Sequence, residues 1–171
     1  MSEYLVIEET SYKQDAWVEE VDAKSRIVKP VRPARNEKVI TVRLDRQCTA
    51  KLRLGSAKAA GAGRQGNIAA AVKAVGLGGE VAPGIQVVEY EARLSEAREA
   101  MVTPEEKDEA GNLVREESFT PAIPERVEHV FTCRLNGMHL AKMSLTDAEF
   151  RQPNWRDTLA AKVPSFTLFM R

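Results

Sequence analysis

The sequence predicts an α+β fold: a mostly antiparallel sheet, of sandwich or partly open barrel form, built from hairpins with two or three short helices between them. Three observations carry this expectation. Apolar and polar residues alternate with period two in several short runs. One pair of these runs flanks Asn136-Gly137, the dipeptide that best fits a two-residue type I′ turn. The helical stripes, by contrast, are short and bounded by capping residues or glycine.

Taken in order, Tyr4 to Glu9 reads as a strand and Ala16 to Val21 as a weaker one. Pro30 and Pro33 then interrupt a basic run from Lys24 to Arg35, where neither a helix nor a central strand can continue. Residues 1–35 are therefore expected to form an N-terminal arm or short strands ending in a proline-containing linker, and residues 36–171 a single β-rich domain. In Val39 to Asp45 and Thr49 to Leu54, Ile40, Val42, Leu44, Ala50, Leu52 and Leu54 fall on one face. Thr41, Arg43, Lys51 and Arg53 fall on the other, giving a hairpin with an apolar inner and a basic outer surface.

The glycine- and alanine-rich stretch from Gly55 to Asn67 has too little bulk to pack and reads as a mobile loop. Asn67 is placed to cap a helix from Ile68 to Val75, stopped by Gly76. Ile85 to Leu94 alternates as a strand and Ser95 could open a short helix. The acidic run from Pro104 to Asn112 reads as a solvated excursion.

Val127 to Leu135 and Met138 to Leu145 then form the Asn136-Gly137 hairpin. A two-residue loop sets Leu135 opposite Met138, Cys133 opposite Leu140 and Val130 opposite Met143. Phe131, Cys133, Leu135, Met138 and Leu140 would line one face, and Val130, Ala141, Met143 and Leu145 the other. With both faces apolar, the second set is the candidate protein interface. Thr146 and Glu149 match a capping box before a short helix that breaks at Pro153. Trp155 to Val163 reads as another helix, and Ser165 to Met170 as a last strand.

Charge is the most uneven property of the chain. Its 25 basic and 25 acidic residues cancel, yet Lys29 to Arg64 holds ten Lys/Arg against two acids. Met1 to Asp22 and Glu80 to Glu128 are correspondingly acidic. Arg43, Lys51, Arg53, Lys58 and Arg64, with Lys29, Arg32 and Arg35 leading in, make a candidate stripe for phosphates or nucleic acid. The competing reading is a solvated face neutralised by the acidic stretches. No aromatic residues interleave with the basic ones, so base stacking is unsupported.

Catalytic chemistry finds little support. His129 and His139 lie on opposite faces in the expected pairing, and His129 stands four residues from Cys133, about 13 Å along a strand. Gly61-Ala62-Gly63-Arg64-Gln65-Gly66 matches GxGxxG only in isolation, without the following acid or a Walker Gly-Lys-Ser/Thr. The acidic run at Glu105 to Asn112 lacks the ligand spacing of an EF-hand. Cys48 and Cys133 suit reduced thiols, with Cys133 a small buried hydrophobe.

No metal or cofactor is implied, and no export signal or membrane-spanning run is apparent. The expectation is a non-enzymatic structural or interaction subunit of a larger cytoplasmic or virion assembly, partnered by itself or by other protein subunits. A nucleic-acid-binding protein using the basic hairpin is the alternative.

Overall fold

The structure is a computed structural model that describes residues 4–46, 48–76 and 80–163. The expected strand at Ser165 to Met170 lies outside the described residues. The described residues divide into two compact units: those within 4–13, 36–94 and 127–163 form the first, and residues 14–35 and 95–126 the second. Residues 14–35 fall in the second unit together with residues 95–126. The described residues before Gln14 belong to the larger unit.

Unit 1 is built on a seven-stranded sheet. Its path runs β1 (Leu5–Gln14), β4 (Arg35–Arg43), β5 (Thr49–Gly55), β7 (Ile85–Ser95), β12 (Arg126–Leu135) and β13 (His139–Thr146), with β6 (Glu80–Ala82) pairing β7. The hairpins β4–β5, β6–β7 and β12–β13 are antiparallel, but β5 and β7 run parallel. The sheet is thus mixed rather than wholly antiparallel, and its path does not close. The connection between β5 and β7 holds helix α1 (Arg64–Val75) and then β6, and the reversal at the β6–β7 hairpin brings β7 back parallel to β5. Helices α2 (Asp147–Phe150) and α3 (Trp155–Ala161) follow β13.

The β4–β5 pairing is the expected one, with Ile40 against Leu52 and Val42 against Ala50. These four side chains are buried and share a core with Ile68 and Val75 of α1, Tyr90, Phe131, Met143, Leu145, and Trp155 and Leu159 of α3. Helix α1 begins at Arg64, earlier than expected, with Gly63 rather than Asn67 at its cap; Asn67 instead donates its side-chain amide to the Lys58 carbonyl. Gly76 ends it in the left-handed conformation at φ 67°, as its position predicts. Ala59 is buried, so the small-residue loop is anchored to the core.

The β12–β13 hairpin departs from its expected register by one residue. Asn136 and Gly137 do adopt positive φ (50° and 74°), and Met138 donates its backbone N–H to the Leu135 carbonyl. Met138 is then left over, and Leu135 pairs with His139, Cys133 with Ala141 and Phe131 with Met143. The reason is burial. In the expected register Lys142 and Ser144 would face the core beside Phe131; bulging out one residue turns Ala141, Met143 and Leu145 inward instead. The two-sided apolar hairpin is therefore replaced by one apolar face and one mixed face carrying Val130, Thr132, Arg134, Leu140, Lys142 and Ser144.

Unit 2 consists of paired ribbons. Strands β2 (Glu20–Val21) and β3 (Ile27–Lys29) form one, extended by an isolated bridge between Trp17 and Arg32. Strands β8 (Met101–Thr103), β9 (Glu106–Lys107), β10 (Leu113–Arg115) and β11 (Ser118–Thr120) form the other as a long hairpin that also includes an Arg98–Ile123 bridge. The helix expected from Ser95 is absent, and the acidic excursion is the tip of this ribbon.

The register makes an opposed pair of stability expectations. Met143 is 5% exposed and Leu140 63%. Met143→Ala should cost about 2–5 kcal/mol, whereas Leu140→Ala should stay within about 0.5 kcal/mol of wild type. Denaturant melts check this, and the opposite ranking would restore the two-residue register.

Candidate interaction surfaces and a buried hydrogen-bonded chain

The basic stripe is divided by its surroundings. Thr41 pairs with Lys51 and Arg43 with Thr49, so Arg43 and Lys51 are near neighbours on the outer face, and both are exposed. Among the described residues neither has an ion-pair partner. Arg53 pairs with Glu37, and its guanidinium lies 4.9 Å from the centre of the Tyr12 ring. Arg64 binds Glu9 at 2.6 Å and the Ala59 carbonyl at 2.8 Å, so it braces the start of α1. Lys58 is exposed in the loop beyond β5.

The parallel register of β5 and β7 sets Glu91 opposite Lys51 and Glu89 opposite Thr49. A row of carboxylates therefore borders the basic hairpin one strand away, about 4.8 Å across the sheet. That neighbour could not be inferred from the sequence, because nothing local specifies that β7 lies beside β5.

The candidate interface residues are separated. Ala141, Met143 and Leu145 are buried in the core, while Val130 lies on the opposite face of the hairpin. His129 and His139 turn out to share a face, since the slipped register reverses β13; they remain at opposite ends of it.

His129 has a defined place. It is buried, its ring stacks on Phe150 with centroids 4.1 Å apart, and Tyr90, Phe131 and Trp155 complete an aromatic cluster. Its Nδ1 lies 2.6 Å from the Tyr90 hydroxyl and its Nε2 2.9 Å from Asp147 Oδ1. The carboxylate can only accept, so Nε2 carries the proton and donates to Asp147, and Nδ1 accepts from Tyr90. Every polar atom of the imidazole is thereby satisfied, and the chain ties β7 and β12 to the first turn of α2. The Thr146–Glu149 capping box is formed as expected and holds that turn in place.

Burial pushes the His129 pKa below its ordinary value, with Asp147 opposing that shift, and pushes the Tyr90 hydroxyl upward. Burial likewise lifts the Cys133 thiol to about 11, which makes it an inert core side chain. The sequence signal for this chain was a lone histidine in an apolar strand; its partners come from distant segments.

Unit 2 presents a different surface. Of its apolar side chains only Pro30 and Ala97 are buried. Val18, Val21, Ile27, Val31, Met101, Val102, Leu113, Val114 and Ile123 are all exposed. Residues 104–118 are exposed without a break, through the whole ribbon tip. A groove of about 550 Å³ is lined by Ile27, Pro30, Val31, Phe119 and Pro124, with Arg26 at its side.

Ion pairs and cation–π contacts do most of the joining. Arg26 meets Asp22 at 2.8 Å and Glu117 at 3.4 Å, and its guanidinium lies 4.2 Å from the centre of the Phe119 ring. Lys24 binds Glu117 at 2.7 Å, and Arg32 sits 4.0 Å from the Trp17 ring centre. At the ribbon tip Asp108 accepts hydrogen bonds from the backbone and side-chain amides of Asn112, an ordinary acidic turn. Among the described residues no cluster of three His, Cys, Asp or Glu side chains could hold a metal ion. None of their helices is long and apolar enough to cross a membrane.

His129 sets a pH expectation. Its folded pKa lies below the unfolded value of about 6.5, so below that pH the unfolded chain binds the proton more readily. The stability it contributes is complete above about pH 6.5 and is lost as the pH falls through the depressed folded value. Thermal melts between neutral and mildly acidic pH should show this fall, and His129→Gln should flatten it. Tyr90→Phe should cost about 1–3 kcal/mol, because Nδ1 is left without a donor. No family model, no curated protein and no solved structure matches this chain.

Proposed function

We propose that this chain is a non-enzymatic structural or interaction subunit of a larger intracellular or viral assembly, a virion component being the concrete version. The observation that carries the reading is unit 2. It comprises 54 residues whose only buried apolar side chains are Pro30 and Ala97. A two-stranded ribbon is marginal in water without a face to pack on, and exposed ion pairs contribute only about 0–1 kcal/mol each. Such ribbons gain stability when their exposed apolar side chains are covered, and nine large ones are available here. Charge favours the same reading: unit 1 holds sixteen Lys/Arg against twelve Asp/Glu, and unit 2 nine against thirteen. Adjacent subunits of opposite local sign attract and orient one another.

Hydrogen exchange at low and high protein concentration tests this, with mass followed by light scattering. The amides of β8, β9, β10 and β11 should exchange almost freely in the dilute monomer and become protected as mass rises, while β4, β5 and β12 stay protected throughout. Strong protection of these ribbons in a protein of monomer mass would overturn the reading.

Nucleic-acid binding is the second reading, favoured by the exposed and unpaired Arg43 and Lys51. Replacing Arg43 and Lys51 by Gln should then weaken oligonucleotide affinity equally for all sequences and lower the salt slope by roughly 0.7–0.9 for each phosphate no longer neutralised. Titration of a fluorescent mixed oligonucleotide at low salt measures both. Absence of binding by the wild-type chain there would end this alternative.

A further inference from the structure

Strand β1 is the first strand of the seven-stranded sheet and, among the described residues, bonds only to β4, so within them its other edge presents unpaired backbone N–H and C=O groups. It is ten residues long, contains neither proline nor glycine, and is exposed on both faces from Leu5 to Ser11. Leu5, Val6 and Ile7 are among the exposed side chains. Natural sheets usually shorten, bulge or charge such an edge, because it is a template for another strand.

We infer that β1 pairs antiparallel with β1 of a second copy of this chain, about a two-fold axis at Ser11, extending the sheet through both copies. This gives the assembly reading above a partner, the chain itself, but rests on a different surface.

Symmetry and charge select the register. A two-fold axis joining two such edges stands perpendicular to the sheet and leaves each face where it was, so directly opposed residues must share a face. Tyr12 lies on the outer face, where Arg53 covers its ring, and Glu9 lies on the inner face, where it binds Arg64 of α1 and Lys38. Odd residues therefore oppose odd residues, and even oppose even.

With the axis at Glu9, two carboxylates would stand face to face. An axis at Thr10 would set the Lys13 ammonium against Ile7. An axis at Ser11 sets Lys13 of each copy opposite Glu9 of the other and Thr10 opposite Tyr12, with no like charges directly opposed. Lys13 is exposed and, among the described residues, has no acidic partner within its own chain. Opposite charges at directly paired positions stabilise a strand pair and like charges weaken it.

The test introduces a thiol at the axis. Cys48 and Cys133 are both buried, so they should stay silent. Light scattering of the wild-type chain should show a dimer that dissociates on dilution. Ser11→Cys should form a disulfide-linked dimer under mild copper-phenanthroline oxidation, several-fold faster than Thr10→Cys. The same introduced thiol carrying a nitroxide should report a short inter-spin distance.

Lys13→Glu opposes two like-charge pairs and should weaken the dimer roughly tenfold. It should leave the melting behaviour of dilute monomer unchanged, because Lys13 is exposed and unpaired. A wild-type chain that stays monomeric at all concentrations would overturn the inference. So would a dimer showing neither the cross-link nor the short distance at position 11, or one that cross-links faster at position 10. If β1 fails to pair while the ribbons of unit 2 still gain protection on concentration, only this inference falls. If β1 pairs while those ribbons are already protected in the monomer, only the earlier reading falls.

Discussion

Burial of a single face on the β12–β13 hairpin is the constraint on which the rest of unit 1 depends. Side chains alternate along a strand, so a one-residue slip exchanges everything facing the core for everything facing outward. In the unslipped register Lys142 and Ser144 would face the core beside Phe131, where burying a charge or an unpaired hydroxyl is costly; with Met138 bulged out, both are exposed. Once the slip is made, Ala141, Met143 and Leu145 join Phe131, Cys133 and Leu135 on one apolar surface. The aromatic cluster around His129 packs on that surface, and Trp155 and Leu159 bring α3 onto it. The turn chemistry survives, with Asn136 and Gly137 in positive φ, but it no longer sets the pairing.

The two units stand at opposite ends of the usual balance between burial and entropy. Unit 1 orders its backbone around a contiguous apolar core, and burying each large aliphatic side chain contributes about 1.5–3 kcal/mol. Unit 2 orders 54 residues around ion pairs, cation–π contacts and ladder hydrogen bonds. Backbone ordering alone costs about 1–2 kcal/mol per residue, so contacts of that strength leave little surplus. That imbalance, rather than any catalytic constellation, is the main physical reason for reading the molecule as a participant in larger structures.

Much of the charge segregation is resolved inside the chain. Lys29 meets Glu99 at 3.8 Å, Arg35 meets Glu125 at 2.7 Å, and Lys38 and Arg64 converge on Glu9. Arg53 is taken up by Glu37, and carboxylates of β7 border Lys51. What remains uncompensated on the outer face of β4–β5 is mainly Arg43 and Lys51. The neutralised face and the phosphate stripe are therefore both partly present. The first is built from ion pairs between distant segments, and the second is narrower than ten basic residues suggested.

Local features were legible in the sequence where local physics decides them. Alternation placed β4, β5 and β7; Gly76 stopped α1; Thr146 with Glu149 capped α2; Asn136-Gly137 marked a turn. Each depends on residues within a few positions of one another, so composition and spacing carry the information. Tertiary structure alone decided the parallel contact of β5 with β7, the register of β12 against β13, the partners of His129, and the gathering of residues 14–35 with 95–126. Those outcomes depend on which faces can be buried together and which charges find partners across long stretches of chain. Such choices minimise exposed apolar surface and unpaired buried polarity over the whole fold, and no window of sequence contains them.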